Sequence, residues 1–374
     1  MLLGGKPLDD RLFWLGWQML WPGAGRKIWE LVEYFGSPKS AWEAGEKELL
    51  NVAGIGEKAL AGVLKRRSEI DLAEEVSRLE KRGIQFVVHT DPAYPENLLK
   101  IFDPPPVIFV RGTMKPDDSL AVAVVGTRKP SPYGRAVAEK ITRDLAAVGI
   151  TVVSGMARGI DTAAHVGALS GGGRTIAVLG CGPDVAYPRE NSGLMERIAR
   201  QGAIVSEFPP GSPPESWHFP VRNRIISGLS LGTLVVEAAE RSGALITADY
   251  ALEQGRDVMA VPGSITSTLS RGPHRLIKQG ARLVEGTGDI LDEIGLEKIF
   301  PLPGPEGEGT VKMSEDERAI YGHLAYDPVS LDELIIRSGL LPQKVMAALM
   351  YLELKGLTRQ LPGKLYARSG RLMF

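Results

Sequence analysis

Apolar residues recur three and four apart in "RLFWLGWQML" (11–20) and "RKIWELVEYFG" (26–36), the spacing of one buried helix face. Residues 1–82 therefore read as a small all-helical domain. Within it, "LLNVAGIGEKALAGVLKRR" (49–67) places a turn from Gly54 to Gly56 between two helices. That is the order of a helix-hairpin-helix (SAM-like) unit, whose turn can offer backbone N–H groups to a phosphate; a helical hairpin that merely packs is the other reading. From residue 84 the pattern changes. Short apolar runs, "IQFVVHTD", "PPVIFVRG", "AVAVVG", "ITVVSG", "TIAVLG", "AIVSE", "GTLVVE", "DVMAVPG" and "ARLVEG", predict strands. From residue 121 they alternate with helix-like runs such as "GRAVAEKITRDLAAVG" and "GALITADYALEQG". Continuous apolar strands separated by amphipathic helices predict a doubly wound, Rossmann-like parallel α/β sheet covered on both faces, over residues 83–298. A linker follows at 299–312, marked by "FPLPGPEGEGT". Residues 313–374 then predict three short helices and a pair of strands meeting at "PGK", the order of a winged-helix domain.

Composition narrows the partners. The chain has 374 residues, 44 basic against 45 acidic, so a nucleic acid must be held by a local cluster rather than by a general basic field. The single cysteine, Cys181, excludes an intramolecular disulfide and a cysteine-rich zinc site. No spacing of His, Cys and carboxylate residues recommends a metal, and none points to a cofactor. The N-terminal stretch has acids ahead of its apolar part and no small-residue cleavage pattern, and no segment is apolar enough to span a bilayer. The expected location is cytoplasmic, with no membrane partner.

In an open parallel sheet, ligands sit beyond the carboxyl ends of the strands. The loops there bring Arg128, Lys129 and Arg135 ("GTRKPSPYGR"); Ser154, Gly155, Arg158 and Gly159 ("SGMARG"); and Tyr187 and Arg189 ("AYPREN"). Beyond the fourth parallel strand comes "FPVRNRIISG", with Phe219, Arg222, Asn223 and Arg224, and the next two loops add Ser242 and Gly243, then Arg271 and Arg275. Glycines let backbone approach a ligand, and helix starts offer free N–H groups to an anion. The convergence predicts a polyanion site. A dinucleotide does not suit it, because "GTRKPSPYG" lacks the Gly-x-Gly-x-x-Gly spacing. Asp161, His165 and Ser154 could be drawn as a nucleophilic set. The plainer roles are a helix-start carboxylate for Asp161 and a hydrogen-bonded packing residue for His165. Glu237 is the better acid for an enzyme, its plain role being an ion pair with one of the arginines.

"VVGTRKPSPYG", "SGMARGIDTAAH", "VLGCGPDVAYPREN", "FPVRNRIISGLS", "LVVEAAERSGALITADYALEQGRDVMAVPG" and "LIKQGA" occur in this order over residues 84–286. Together they resemble the DNA-processing protein A (DprA, or Smf) family. The resemblance implies a homodimeric, non-catalytic single-stranded DNA binder that loads the RecA recombinase during natural transformation and recombination. It implies that Arg128 contacts the DNA backbone, and that Ser154, Gly155, Arg158, Gly159, Arg222, Asn223 and Arg224 line the same pocket. One position departs from the family: where an asparagine is common before "LI..GA", this chain has His274. The residues agree with this role, since single strands are held by a positive groove plus stacking surfaces. Phe219 and Trp217 are candidates for stacking, with core packing the alternative for Phe219. The last helix of the tail, "PQKVMAALMYLELKG", is too apolar to read base edges, so protein contacts, self-association or auxiliary DNA contact are expected there. Two other functions compete. "SGLSLGT" keeps the end of the glycine turn found in nucleotide phosphoribohydrolases, and a winged helix beside a nucleotide-sensing domain would suit a transcriptional regulator.

Overall fold

The computed structural model of the chain describes residues 2–3, 6–7, 9–52, 57–297, 299 and 313–368. Its centre is a nine-stranded sheet. In chain order the strands are β1 (Ile84–Val88), β2 (Val107–Gly112), β3 (Ala121–Val125), β4 (Thr151–Ser154), β5 (Thr175–Leu179), β6 (Ala203–Ser206), β7 (Gly232–Val235), β8 (Asp257–Ala260) and β9 (Arg282–Leu283). Their spatial order is β9-β8-β7-β3-β4-β5-β6-β2-β1. Strands β3 to β9 are parallel, and β2 and β1 close one edge, β2 running antiparallel to β6 and β1 antiparallel to β2. The chain builds outward from β3 to β6, then returns to the other side of β3 with β7. The switch point of the doubly wound fold therefore lies between β3 and β7.

Both faces of the sheet are covered, which is why its strands read as unbroken apolar runs. Along β3, Ala121, Ala123 and Val125 enter one core with Ile225, Leu245 and Leu276. Val122 and Val124 enter the opposite core with Ile141, Leu145 and Ala164. Helices His218–Gly228, Gly243–Glu253 and Arg271–Lys278 thus share one face, and Pro132–Ala147 and Ile160–Ser170 the other.

The helical front end docks on the antiparallel edge. Its helices include Asp10–Leu20, Gly25–Phe35 and Leu72–Lys81. Trp14, Trp17, Ile28 and Leu31 form one core with Val88 and Val107 of the sheet, and Gln18 donates to the Glu207 carbonyl at 2.8 Å. The Gly54–Gly56 turn and most of the expected linker lie outside the described residues. At the other end, helices Glu315–His323, Leu331–Ser338 and Pro342–Leu354 precede the hairpin Thr358–Leu361/Leu365–Arg368. The hairpin turns at Gly363 and Lys364, both at positive φ. A two-residue strand, Val329–Ser330, completes the winged helix by pairing with Leu365–Arg368; the sequence pattern missed it because two residues show no period.

Candidate nucleic-acid interface

The stretch "FPVRNRIISG" is helical, within His218–Gly228. On a helix, Phe219, Arg222 and Asn223 are three and four apart and share a face, whereas Arg224 lies about 200° round from Arg222. The two arginines consequently serve different ends. Arg222 is buried at the carboxyl ends of β4 and β5, where its Nη1 donates to the Gly155 carbonyl at 2.6 Å and to the Val178 carbonyl. Its Nε donates to Asn223 Oδ1 at 3.1 Å. Burial lowers the guanidinium to about 10, with Asp161 opposing the shift, so it stays cationic at neutral pH. Only glycine fits at 155, since a Cβ there would stand 2.4 Å from Arg222 Nη2 and 2.8 Å from Asp161 Oδ2.

Above this buried cation opens a narrow cleft. Arg128, Gly155, Arg158, Tyr187, Phe219 and Arg222 line it, with Cys181 at its back. Arg128 stands at the mouth, and its guanidinium sits 5.6 Å from the centre of the Phe219 ring, a cation–π distance. Phe219 is half-buried. Its ring lies 5.4 Å from that of Tyr187 at an interplanar angle of 32°, giving the cleft a partly exposed aromatic wall. Arg158, at the opposite lip, is exposed and paired with Glu190. Cys181 is buried, donates its thiol to the Val185 carbonyl, and is pushed up to about 11 by burial, so it stays a thiol.

Several expected contributors point elsewhere. Arg224 is turned away from the cleft into a buried network with Glu207, at 2.9 Å, and Asp103, at 3.2 Å. These carboxylates raise its pKa although burial alone would lower it. The Ser154 hydroxyl is fully buried and donates to the Val124 carbonyl at 2.6 Å, tying β4 to β3. Gly159 holds φ +82° just before helix Ile160–Ser170, and a Cβ would lie 2.3 Å from the Thr127 carbonyl oxygen; it fixes the loop rather than lining the cleft. Arg135 lies one turn into helix Pro132–Ala147, where its charge acts on Glu139. Lys129 and Arg189 stand just outside the cleft. Trp217 is turned edge-on to Phe208 and its indole N–H donates to Glu215. Ser242 caps helix Gly243–Glu253, and the Gly243 carbonyl accepts from Asn223 Nδ2 at 3.4 Å. Both sit at the end of β7, one loop removed from the cleft.

The catalytic drawing does not hold together. Asp161 is buried behind the cleft, accepts from the Ala157 N–H at 3.3 Å, and is pushed up to about 6 by burial. Fully buried His165 donates from Nδ1 to Thr175 Oγ1 at 2.7 Å, because that hydroxyl donates onward to the Val152 carbonyl. Burial holds the imidazole down to about 3, so it is neutral. Among the described residues Glu237 pairs with no arginine, against expectation: one carboxylate oxygen accepts the Ser131 N–H at 2.9 Å and the other its hydroxyl at 2.6 Å. It anchors the start of helix Pro132–Ala147 at the switch point.

Residues 85–295 match the model of the family described as DNA recombination-mediator protein A, and residues 304–364 match the DprA winged helix domain. Protein Smf of Synechocystis is 34% identical, over 96% of this chain and 99% of its own. The chain belongs to this family. The X-ray structure of DprA from Streptococcus pneumoniae superposes with a TM-score of 0.65 at 38% identity, covering 77% of this chain and 99% of the other. DprA from Helicobacter pylori, whose structure is described as showing a unique single-stranded DNA binding mode, superposes with a TM-score of 0.52 at 29% identity, covering 58% and 97%. DprA proteins are DNA recombination mediators, and this chain shares that broad role.

Against the DprA pattern, the departure at His274 has a local explanation. Its Nε2 lies 3.1 Å from the Gly263 carbonyl oxygen and 3.4 Å from the Gly263 nitrogen, so the ring ties helix Arg271–Lys278 to the loop after β8. Tyr187 is the wall residue that the sequence places in the right loop without giving it a role. Its partnership with Phe219 depends on how helix His218–Gly228 meets the β5 loop, which no spacing in the chain records. Among the described residues, no group of three or more His, Cys, Asp or Glu side chains could hold a metal, and no helix is long and apolar enough to cross a membrane.

Proposed function

We propose that the cleft beyond β3, β4 and β5 binds single-stranded DNA, and that the protein acts without turnover, as a homodimer that delivers the strand to the RecA recombinase. The observation that carries this reading is the union, in one solvent-open cleft, of Arg128 at the mouth, buried Arg222 and the Phe219–Tyr187 wall. Phosphates suit the guanidiniums, which pair with oxygen atoms through a planar fork, and unpaired bases suit the ring faces. Such contacts carry little sequence information, so binding is sequence-tolerant and salt-sensitive. The Helicobacter pylori relative's single-stranded DNA binding supports the ligand, and membership in a recombination-mediator family supports the client.

The test is binding of labelled single-stranded and duplex oligonucleotides of unrelated sequence across a salt series. Arg128→Ala is expected to weaken single-strand binding about tenfold, a loss of about 1.4 kcal/mol, and to flatten the salt slope, while its place at the mouth leaves stability within about 0.5 kcal/mol. Unchanged affinity in the folded variant would remove Arg128 as a backbone contact. Loading is then read as the rate of RecA filament nucleation on the bound strand, which the variant should slow in proportion.

A further inference from the structure

A second cationic surface begins at the same sheet edge, outside the cleft, and runs back over one face of the sheet along the helix that joins β8 to β9. Helix Arg271–Lys278 carries Arg271, Arg275 and Lys278, the second and third standing four and seven residues on from the first, in one continuous stripe. Arg241, exposed in the loop after β7, faces the same open groove, with His274 in its wall. One carboxylate lines it, Glu240, and that reaches only Arg271, at 3.8 Å between exposed side chains. Among the described residues Arg241, Arg275 and Lys278 have no ion pair within 4.0 Å. In a chain whose charges otherwise balance, this gathering of like charge repels itself until an anion fills it.

We propose that this groove carries the phosphate backbone of the same DNA strand onward from the cleft. The inference rests on the cleft holding single-stranded DNA. The groove is shallow, and its cations stand in solvent on flexible stems, which suits an extended polyanion running past rather than a small anion held in a closed pocket. Its position fits a continuous track. Strand β8 is two strand-spacings from β3, roughly 10 Å across the sheet. The Asn223–Gly243 hydrogen bond ties the Arg222 helix to the loop that carries Arg241, so the two surfaces are joined through one fixed piece of backbone. His274 is committed to Gly263 and serves as the wall, leaving the arginines and Lys278 to meet the phosphates.

The experiment compares wild type, Arg128→Ala, Arg275→Glu/Lys278→Glu and the conservative Arg275→Lys/Lys278→Arg on single strands of about 6 and about 30 nucleotides, lengths that bracket one such site. The charge reversal is expected to weaken the long strand at least tenfold and the short strand less than twofold. It should also reduce the salt slope on the long strand by about 0.7 for each phosphate no longer neutralised. The conservative pair should bind as wild type. If Arg128→Ala weakens both lengths while the reversal changes neither, the groove takes no DNA, as for a surface serving an acidic protein, and the inference falls with the cleft intact. Equal loss at both lengths, or loss confined to duplex, overturns it too. If Arg128→Ala changes neither length, the cleft reading itself fails, whatever the reversal does.

Discussion

Arg224→Ala is expected to lower the unfolding free energy by about 3–5 kcal/mol, the cost of stranding a buried charge without its partner. The side chain of Glu207 is fully buried and that of Arg224 only 6% exposed. One Glu207 oxygen already lacks a hydrogen-bond partner, so without the guanidinium the carboxylate has nothing to satisfy it but protonation, toward which burial already pushes it. Urea unfolding measures the loss. Replacing the buried pair, Arg224→Met with Glu207→Leu, should recover most of it, because the fully buried carboxylate is gone and the remaining Asp103, a third exposed, can be hydrated. The folded fraction of Arg224→Ala should bind single-stranded DNA with wild-type affinity. A loss under about 1 kcal/mol, where surface substitutions fall, would mean that the pair is solvated rather than sealed in the core.

The second large effect is hidden in the wild type. Burial raises Asp161 to about 6 and lowers His165 to about 3, whereas in the unfolded chain they titrate near about 3.9 and 6.5. Between about pH 4 and 6 the unfolded chain holds a proton on the imidazole and none on the carboxylate, and the folded chain holds the reverse. The proton counts are equal, so this pair gives stability no slope in that window. Asp161→Asn removes one side of the balance. The unfolded state then binds the extra proton, and stability is lost as pH falls from about 6.5 toward 3, by up to roughly 5 kcal/mol. His165→Gln removes the other. The folded state now binds the extra proton, and stability falls as pH rises from about 4 to 6, by roughly 3 kcal/mol. Urea midpoints at three pH values across the window should show slopes of opposite sign in the two variants. Parallel profiles in all three proteins would show that neither group is held as its burial implies.

Much of this architecture was legible in the chain because its causes are local or periodic. All nine strands of the sheet were marked by apolar runs, and the carboxyl-end rule placed Arg128, Gly155, Arg158 and Arg222 near one another without any contact being visible. The errors came from treating polar residues in a loop-like cluster as equivalent. Arg222 and Arg224 read alike in "VRNR", but once the segment is a helix, two positions apart means opposite directions. That helix was hard to see because its buried positions hold Arg222, Arg224 and Ser227 as well as Ile225 and Ile226. Ser154 misled for a similar reason: a hydroxyl at a strand end serves a ligand or the neighbouring strand equally well, and only the 2.6 Å bond to Val124 decides. The Tyr187–Phe219 wall, and Glu237 bound to Ser131 rather than to an arginine, are meetings of distant segments that leave no mark on spacing.

Arg222 is held in place by carbonyls at the ends of two adjacent strands, so the cation at the floor of the cleft does not have to be found by a searching side chain. Its conformational freedom was lost when the chain folded. If the cleft takes a single strand as proposed, no ordering of Arg222 has to be added at that moment, and the share of lost disorder that falls on the nucleic acid grows. On that reading, runs of purines, which stack among themselves and stiffen the strand, would have to be unstacked before a base lay against Phe219, whereas a pyrimidine run would arrive already supple. Preference among DNA sequences would then be a property of the guest, the protein favouring the strand that bends most easily without reading its bases.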